Sequence, residues 1–330
     1  MKKALYLLLS SILLLLVIET ISLVLNRSNK IVLPFAINKA LIQTKQKTIS
    51  QVQGYGYLLV DPLLGWGLTE SKIKEAGFES SHNTVFLPSN LLCNKPLKIL
   101  ITGGSTSDVV LNPENWPIKF RDLLEEKGIC ADIYVAAIGG YSSGQELLKT
   151  IRDGSEIQPD IHISYSGANE FISPNYISRQ ENSFYLKAFN SSARSSILPN
   201  TLFLIGDVLS TKEKPFLFLE EQNSPAAFWL KNMSIMRALS VEKGYIFIGI
   251  VQPILGLDEN SQKALVEENE VYVNNNLSFY PIIIQHADTT DYLRNLSNLF
   301  TNRNETIFID DCHLENVYQK EVAEAIENIV

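Results

Sequence analysis

Ile99-Leu100-Ile101-Thr102-Gly103-Gly104-Ser105-Thr106-Ser107-Asp108 is the stretch from which the chain is best read. Ile99, Leu100 and Ile101 form a short apolar run bounded by turn residues, the pattern of a buried strand. Gly103 and Gly104 permit a sharp turn and let backbone N–H groups approach a ligand with no side chain in between. Ser105 then falls at the carboxyl end of a strand, where ligands bind in open α/β sheets. Gly-Gly-Ser is also common in ordinary loops, so this stretch takes its meaning from the rest of the chain.

Downstream the pattern is regular. Leu97 to Thr102 is a first strand. Pro113 to Lys127 is helical, with Trp116, Phe120, Leu123 and Leu124 on one face and Gly128 as the stop. Ile133 to Ile138 is a second strand, closed by Gly139-Gly140, and Ser143 to Arg152 a helix. Ile161 to Tyr165 is a third strand, closed by Gly167. Tyr245 to Val251 is a fourth and Thr306 to Ile309 a fifth, and an amphipathic helix over Val317 to Val330 ends the chain. Strands alternating with helices predict a parallel sheet of about five strands with helices on both faces. Residues 171–243 have no clear period and are expected to be a mostly helical insertion or cap. Residues 69–96 read as loop, and the Asp61-Pro62-Leu63-Leu64-Gly65-Trp66-Gly67 turn as plugged into the core by Trp66.

Composition narrows the function. The chain has 330 residues, is 45% hydrophobic and 19% charged, and carries a net charge of −8. That suits a globular domain with a sizeable core. Without a basic run, nucleic acid is not expected as a partner. Cys93, Cys130 and Cys312 show neither metal-ligand spacing nor a disulfide framework, and on their own indicate no redox compartment. Lys2 and Lys3 precede an apolar run from Ala4 to Leu25, long enough as a helix (about 33 Å) to span a bilayer core of about 30 Å. Glu19 lies towards its carboxyl end, where a charge is least costly. No small-x-small cleavage site follows, so residues 1–25 are expected to be a retained signal anchor, residues 26–56 a linker, and residues 57–330 the domain with its insertion. Lysines and arginines on the two sides of the anchor nearly balance and do not decide its orientation.

Three strand ends converge on one sheet edge and supply Ser105, Gly140 and Asn169. Near the carboxyl terminus lies Asp310-Asp311-Cys312-His313. Acyl transfer needs a nucleophile, a base for its proton, a carboxylate to orient that base, and donors aimed at the oxyanion. Ser105 can be the nucleophile, His313 the base and Asp310 the orienter. Asp311 is the rival orienter, but only two residues from the base, and Asp310 is favoured. The N–H groups of Ser105 and Gly140 and the amide of Asn169 can form the oxyanion hole. His162, inside the third strand, reads as a packed core histidine, and Glu170 as a loop residue or one supporting the site from behind.

The set resembles the SGNH hydrolases, the GDSL-like esterases and lipases. Gly103-Gly104-Ser105-Thr106 is similar to the Ser block, and Ile138-Gly139-Gly140-Tyr141 with the residues after it to the Gly block. Gly167-Ala168-Asn169-Glu170 is similar to the Asn block, and Asp310-x-x-His313 matches the Asp-x-x-His block. Gly104 stands where Asp is common, and Leu314-Glu315-Asn316-Val317 where Thr or Ser and then Gly are common. Asp61 to Trp66 resembles a segment upstream in membrane-anchored members. The resemblance implies a flavodoxin-like three-layer α/β/α sandwich, catalysis without a cofactor or metal, and ester or thioester substrates. For an anchored member it implies a single-pass membrane protein with an extracytoplasmic domain. The expected activity is hydrolysis of an ester, such as an O-acyl group on a cell-envelope carbohydrate, through a Ser105 acyl-enzyme. An O-acyltransferase using the same triad, or an idle domain that binds glycan or a partner, are the alternatives.

Overall fold

The computed structural model describes residues 59–61, 63–170, 224–257, 262–303 and 305–330. These belong to one compact unit formed by residues 57–177 and 219–330. The expected anchor, the linker and residues 171–223 of the expected insertion lie outside the described residues. Among the described residues no helix is long and apolar enough to cross a membrane.

The elements run in the order β1 (Leu59–Asp61), β2 (Gly65–Gly67), α1 (Glu70–Glu75), β3 (Glu79–Ser81), β4 (Thr84–Leu87), β5 (Leu97–Gly103) and α2 (Trp116–Glu126). They continue as β6 (Ala131–Val135), α3 (Ser143–Lys149), β7 (Ile161–Ser166), α4 (Pro225–Lys243), β8 (Ile246–Val251), α5 (Lys263–Glu268), α6 (Glu270–Leu277), α7 (Tyr280–Ala287), β9 (Leu293–Asn295) and α8 (Gln319–Glu327). One seven-stranded sheet has the order β3-β4-β6-β5-β7-β8-β9. Its last five strands pair in parallel, while β4 joins β6 and β3 joins β4 antiparallel. Numbered among themselves, the five parallel strands run 2-1-3-4-5, the flavodoxin-like order, whose switch point lies beside the first strand.

Strand β7 shows why helices cover both faces. Its residues alternate in direction. Tyr165 meets the Trp116 ring of α2 at 5.4 Å between centroids, whereas the neighbouring Ser164 donates through its hydroxyl to Glu146 of α3 at 2.6 Å. Helices α2 and α3 therefore lie on opposite sides of the sheet. A strand buried on both faces reads as a continuous run, and every residue of β7 is buried.

Several expectations change. The sheet's fifth parallel strand is Leu293–Asn295, not 306–309. Residues near 308 make only an isolated bridge between Phe308 and Leu314, because this segment folds back on itself to carry His313. Residues 69–96 are not loop: they hold α1, β3 and β4, too short and mixed to show a period. The described end of the insertion, 225–243, is helical as expected: it is the long helix α4, with Ser224 as N-cap and Gly244 in the left-handed conformation after it. Ala226, Trp229, Met233 and Met236 form its buried stripe. Cys93 and Cys130 form a disulfide across 37 residues. The β5–β6 register, which pairs Leu97 with Ala131, brings the residues just before both strands together.

A buried ion cluster closes the end of α3. Lys149 Nζ lies 2.6 Å from Asp153 Oδ2, with both side chains at most 4% exposed, and also donates to the Asn83 carbonyl at 2.7 Å. Arg152 bridges Asp153 to Asp61 of the β1–β2 hairpin. Removing one partner of a buried pair strands the other's charge. Asp153→Ala is expected to lower stability by about 3–5 kcal/mol, read as the shift in a urea unfolding curve. A loss under about 1 kcal/mol would show that the Asn83 carbonyl alone suffices for Lys149.

Candidate active site

Ser105 opens a short 3₁₀ turn (Ser105–Ser107) directly after β5. The two preceding glycines are there for space. A Cβ on Gly103 would lie 2.6 Å from the Tyr165 carbonyl oxygen, and one on Gly104 2.5 Å from Asn169 Nδ2. Only bare backbone lets the end of β5 come this close to β7 and the loop after it. The turn is then tied from behind. Asn115 Nδ2 donates to the carbonyls of Ser105 and Asp108 at 3.1 and 2.9 Å, Trp116 Nε1 to Ser107 Oγ at 3.0 Å, and Thr106 Oγ1 to Gln252 Oε1 at 3.1 Å.

His313 arrives from the loop between Phe308 and Leu314. Gln262 anchors that loop by accepting from the Ile307 and Phe308 N–H groups and donating to the Phe308 carbonyl. Asp310 Oδ1 accepts the Cys312 and His313 N–H groups at 3.0 and 2.7 Å, which curls the loop. Its Oδ2 lies 2.7 Å from His313 Nδ1, and His313 Nε2 lies 2.6 Å from Ser105 Oγ. The partners assign the tautomer: Nδ1–H donates to Asp310, and Nε2 accepts from the serine hydroxyl. Asp311 points elsewhere, within 3.4 Å of Asn276 Nδ2.

The electrostatics follow from this contact. Burial disfavours a charged His313, but the hydrogen bond and charge of Asp310, joined by the charge of Asp311, outweigh it, so its pKa stands above the ordinary value. Burial likewise works against an ionised Asp310, and the hydrogen bonds from His313 and the loop N–H groups overcome it, lowering its pKa. Asp311, buried and repelled by Asp310, is pushed up to about 6.

The other two blocks meet Ser105 at the same edge. Ile138-Gly139-Gly140-Tyr141 is a tight turn closed by Tyr141 N–H to the Ile138 carbonyl at 3.0 Å, with Gly140 at φ +78°, the sign a type II turn demands at its third position. Asn169 Nδ2 donates one hydrogen to the Tyr141 carbonyl at 2.9 Å, leaving its second. The Ser105 and Gly140 N–H groups have no acceptor among the described residues. The glycine turn and the Asn169 amide thus lie against the serine turn. Asp310, Cys312 and His313 also bring ligand-type atoms within 4.8 Å of one another. Asp310 and His313 are occupied with each other, and burial holds the Cys312 thiol well above its usual range, so the cluster is a poor site for a metal ion.

One supporting residue, Asp108, escapes a reading of the sequence, whereas Glu170 and His162 were expected to support the site or pack in the core. Asp108 Oδ2 accepts the Gly139 N–H at 2.9 Å and joins the serine turn to the glycine turn; its Ser-x-x-Asp spacing is a local signal, though a common one. Glu170 is fully buried and accepts from the N–H and hydroxyl of Ser143 at 2.7 and 2.9 Å, holding the start of α3. Burial pushes its pKa up to about 8. His162 is a packed core residue, with Nε2 3.0 Å from Thr102 Oγ1; burial alone lowers its pKa to about 3.

No family model matches the chain, and no curated protein does. Solved structures do. An acetyl xylan esterase, AlAXEase, superposes with a TM-score of 0.47 at 14% identity, covering 71% of this chain and all of its own. TesA gives 0.41 at 13%, covering 69% of this chain and 95% of its own. The psychrotrophic esterase EstA from Pseudoalteromonas sp. gives 0.39 at 14%, covering 70% and 94%. At such identities and TM-scores no substrate or residue role transfers to this chain.

The Asp310 contact makes a prediction that needs no substrate. The ring protons of His313, followed by NMR, should titrate above the usual imidazole value of about 6.5. In Asp310→Asn the midpoint should move down, since the partner that favours the imidazolium is gone. An unmoved midpoint would mean that Asp310 does not set the charge of His313.

Proposed function

We propose that the chain is a serine ester hydrolase of the SGNH type, with Ser105 as nucleophile, His313 as general base and acid, and Asp310 as orienter. The carrying observation is the unbroken relay of two short hydrogen bonds, Asp310 to His313 and His313 to Ser105, at 2.7 and 2.6 Å. A buried core histidine or an N-cap serine would need neither bond.

In the first half-reaction Ser105 Oγ attacks the ester carbonyl carbon while His313 Nε2 takes the hydroxyl proton. The carbonyl oxygen becomes an oxyanion, met by the N–H groups of Ser105 and Gly140 and the free amide hydrogen of Asn169. The carbon–alkoxide bond then breaks, the same proton passes from Nε2 to the leaving alcohol, and an acyl-Ser105 ester remains. In the second half a water gives its proton to Nε2 and attacks the acyl carbon. Ser105 leaves, takes the proton back, and the free acid departs.

The substrate we propose is an O-acyl group on a cell-envelope carbohydrate, met by a domain held outside the cytoplasm by the anchor at residues 1–25, beyond the linker at 26–56. The Cys93–Cys130 disulfide supports an oxidising location, and the apolar run from Ala4 to Leu25 supports the anchor.

The purified protein is expected to hydrolyse p-nitrophenyl acetate and to be labelled by a fluorophosphonate probe. Ser105→Ala should abolish labelling and cut kcat by roughly 10⁴-fold or more; retention of either activity would refute the assignment. Release of free acetate, without transfer to an added sugar, marks a hydrolase rather than an acyltransferase. The base must be neutral to accept a proton, so kcat/KM should rise with pH through the raised pKa of His313. Asp310→Asn should move this acid limb to lower pH and reduce kcat by roughly 10²–10⁴-fold. An unshifted limb would detach His313 from the rate.

A further inference from the structure

The β1–β2 hairpin lies far from the blocks that carry Ser105, Gly140, Asn169 and His313, yet it is fastened to one of them. Trp66 Nε1 donates to the Gly139 carbonyl at 2.9 Å across 73 residues of sequence. Tyr141 Oη donates back to the Trp66 carbonyl at 2.6 Å, and Gln145 Nε2 to the Leu64 carbonyl at 2.8 Å. The two rings are tilted against each other with centroids 5.8 Å apart. The indole lies over the glycine turn so closely that a Cβ on Gly140 would be 3.3 Å from Trp66 Cζ2. The hairpin itself is held. Asp61 Oδ1 accepts the Leu63 and Leu64 N–H groups, and Asp61 Oδ2 pairs with Arg152 at 2.6 Å.

Geometry makes this contact more than packing. The Gly139 C=O and the Gly140 N–H belong to one trans, planar peptide, so they point in opposite directions. Fixing the carbonyl fixes the N–H. This peptide is the central one of the 138–141 turn. Turns of types I and II differ mainly by its orientation, and with glycine on both sides no side chain resists the flip. Asp108 holds the preceding peptide through the Gly139 N–H at 2.9 Å. The indole is the group that holds the central one.

We propose that Trp66 is a positioning residue for catalysis: its indole N–H locks the Gly139–Gly140 peptide so that the Gly140 N–H is presented to the oxyanion. This rests on the esterase reading above and adds to it a fifth region of the chain, Asp61 to Gly67, as part of the catalytic apparatus. Because an oxyanion exists only on the way through the reaction, the lock should act on kcat and leave substrate affinity alone.

Trp66→Phe removes the donor and keeps an aromatic ring in the hairpin, with the loss of the outer indole carbons that lie over Gly140. Measured with p-nitrophenyl acetate and counted per fluorophosphonate-labelled site, kcat should fall roughly 10- to 100-fold, a fraction of the loss of a whole oxyanion donor up to its full value. KM should stay within about twofold. In ¹⁵N-labelled protein the Gly140 amide resonance should shift. A plug that only filled space would lower the melting temperature and the labelled fraction while kcat per labelled site held, and that result, or an unmoved Gly140 resonance, overturns the proposal. Tyr141→Phe, which frees the Trp66 carbonyl, gives a second reading should W66F fail to fold: kcat should drop several-fold with KM kept, and an unchanged kcat counts against the lock. A wild type inert to both probes would sink the esterase reading itself. That is distinct from an active wild type whose W66F variant keeps its kcat.

Discussion

The closeness of backbone to backbone at the end of β5 is the constraint on which the rest depends. A Cβ on Gly103 or Gly104 would fall within 2.6 Å of the Tyr165 carbonyl or the Asn169 amide. With both side chains absent, β5 and the loop after β7 approach until the Asn169 amide stands beside the serine turn. Asn169 in turn holds the Tyr141 carbonyl, so the serine, glycine and asparagine segments become one cluster. Gly104, standing where Asp is common in the family this chain resembles, has a steric reason in this structure: a larger residue would displace the amide.

Burial does different work at different carboxyl groups. Asp310 keeps its charge because His313 and two loop N–H groups reward it. Glu170 and Glu146 are buried without a cation, and both are pushed up. They join helix α3 to the sheet and to the asparagine loop as hydrogen-bonding groups. The carboxylate held ionised thus lies beside His313, while Glu170 and Glu146 behind it are driven towards the protonated form. The buried ion cluster of Lys149 with Asp153 and Arg152 sits at the far end of α3 and secures the hairpin that carries Trp66.

Much of this could be read in the residues. The parallel strands β5, β6, β7 and β8 announce themselves as apolar runs, and glycine turns follow β5, β6 and β7, because strands buried on both faces carry no polar alternation. Ser105, Gly140, Asn169, Asp310 and His313 stand in recognisable short blocks, since each turn that presents them is built locally. Weak local signals hid the rest. The three residues of β9 are too few to show a period, and the bounds of α4 carry no clear apolar period, although helix was expected there. The segment at 306–309 has a strand's composition but is bent by the bond pattern of Gln262 and Asp310.

By itself, then, the sequence determined the sheet's parallel core and which residues could do chemistry, since both follow from patterns within a few neighbouring positions. Only tertiary structure decided the pairing of Cys93 with Cys130 and the seating of Trp66 on the Gly139 carbonyl. Each is a contact between segments far apart in sequence. Such contacts depend on strand register and on the space left by absent side chains, which no local pattern records. The stretch from Ile99 to Asp108 contains both kinds of information. Its strand and its glycines are legible in order, but the reason two glycines are needed lies in Tyr165 and Asn169, some sixty residues away.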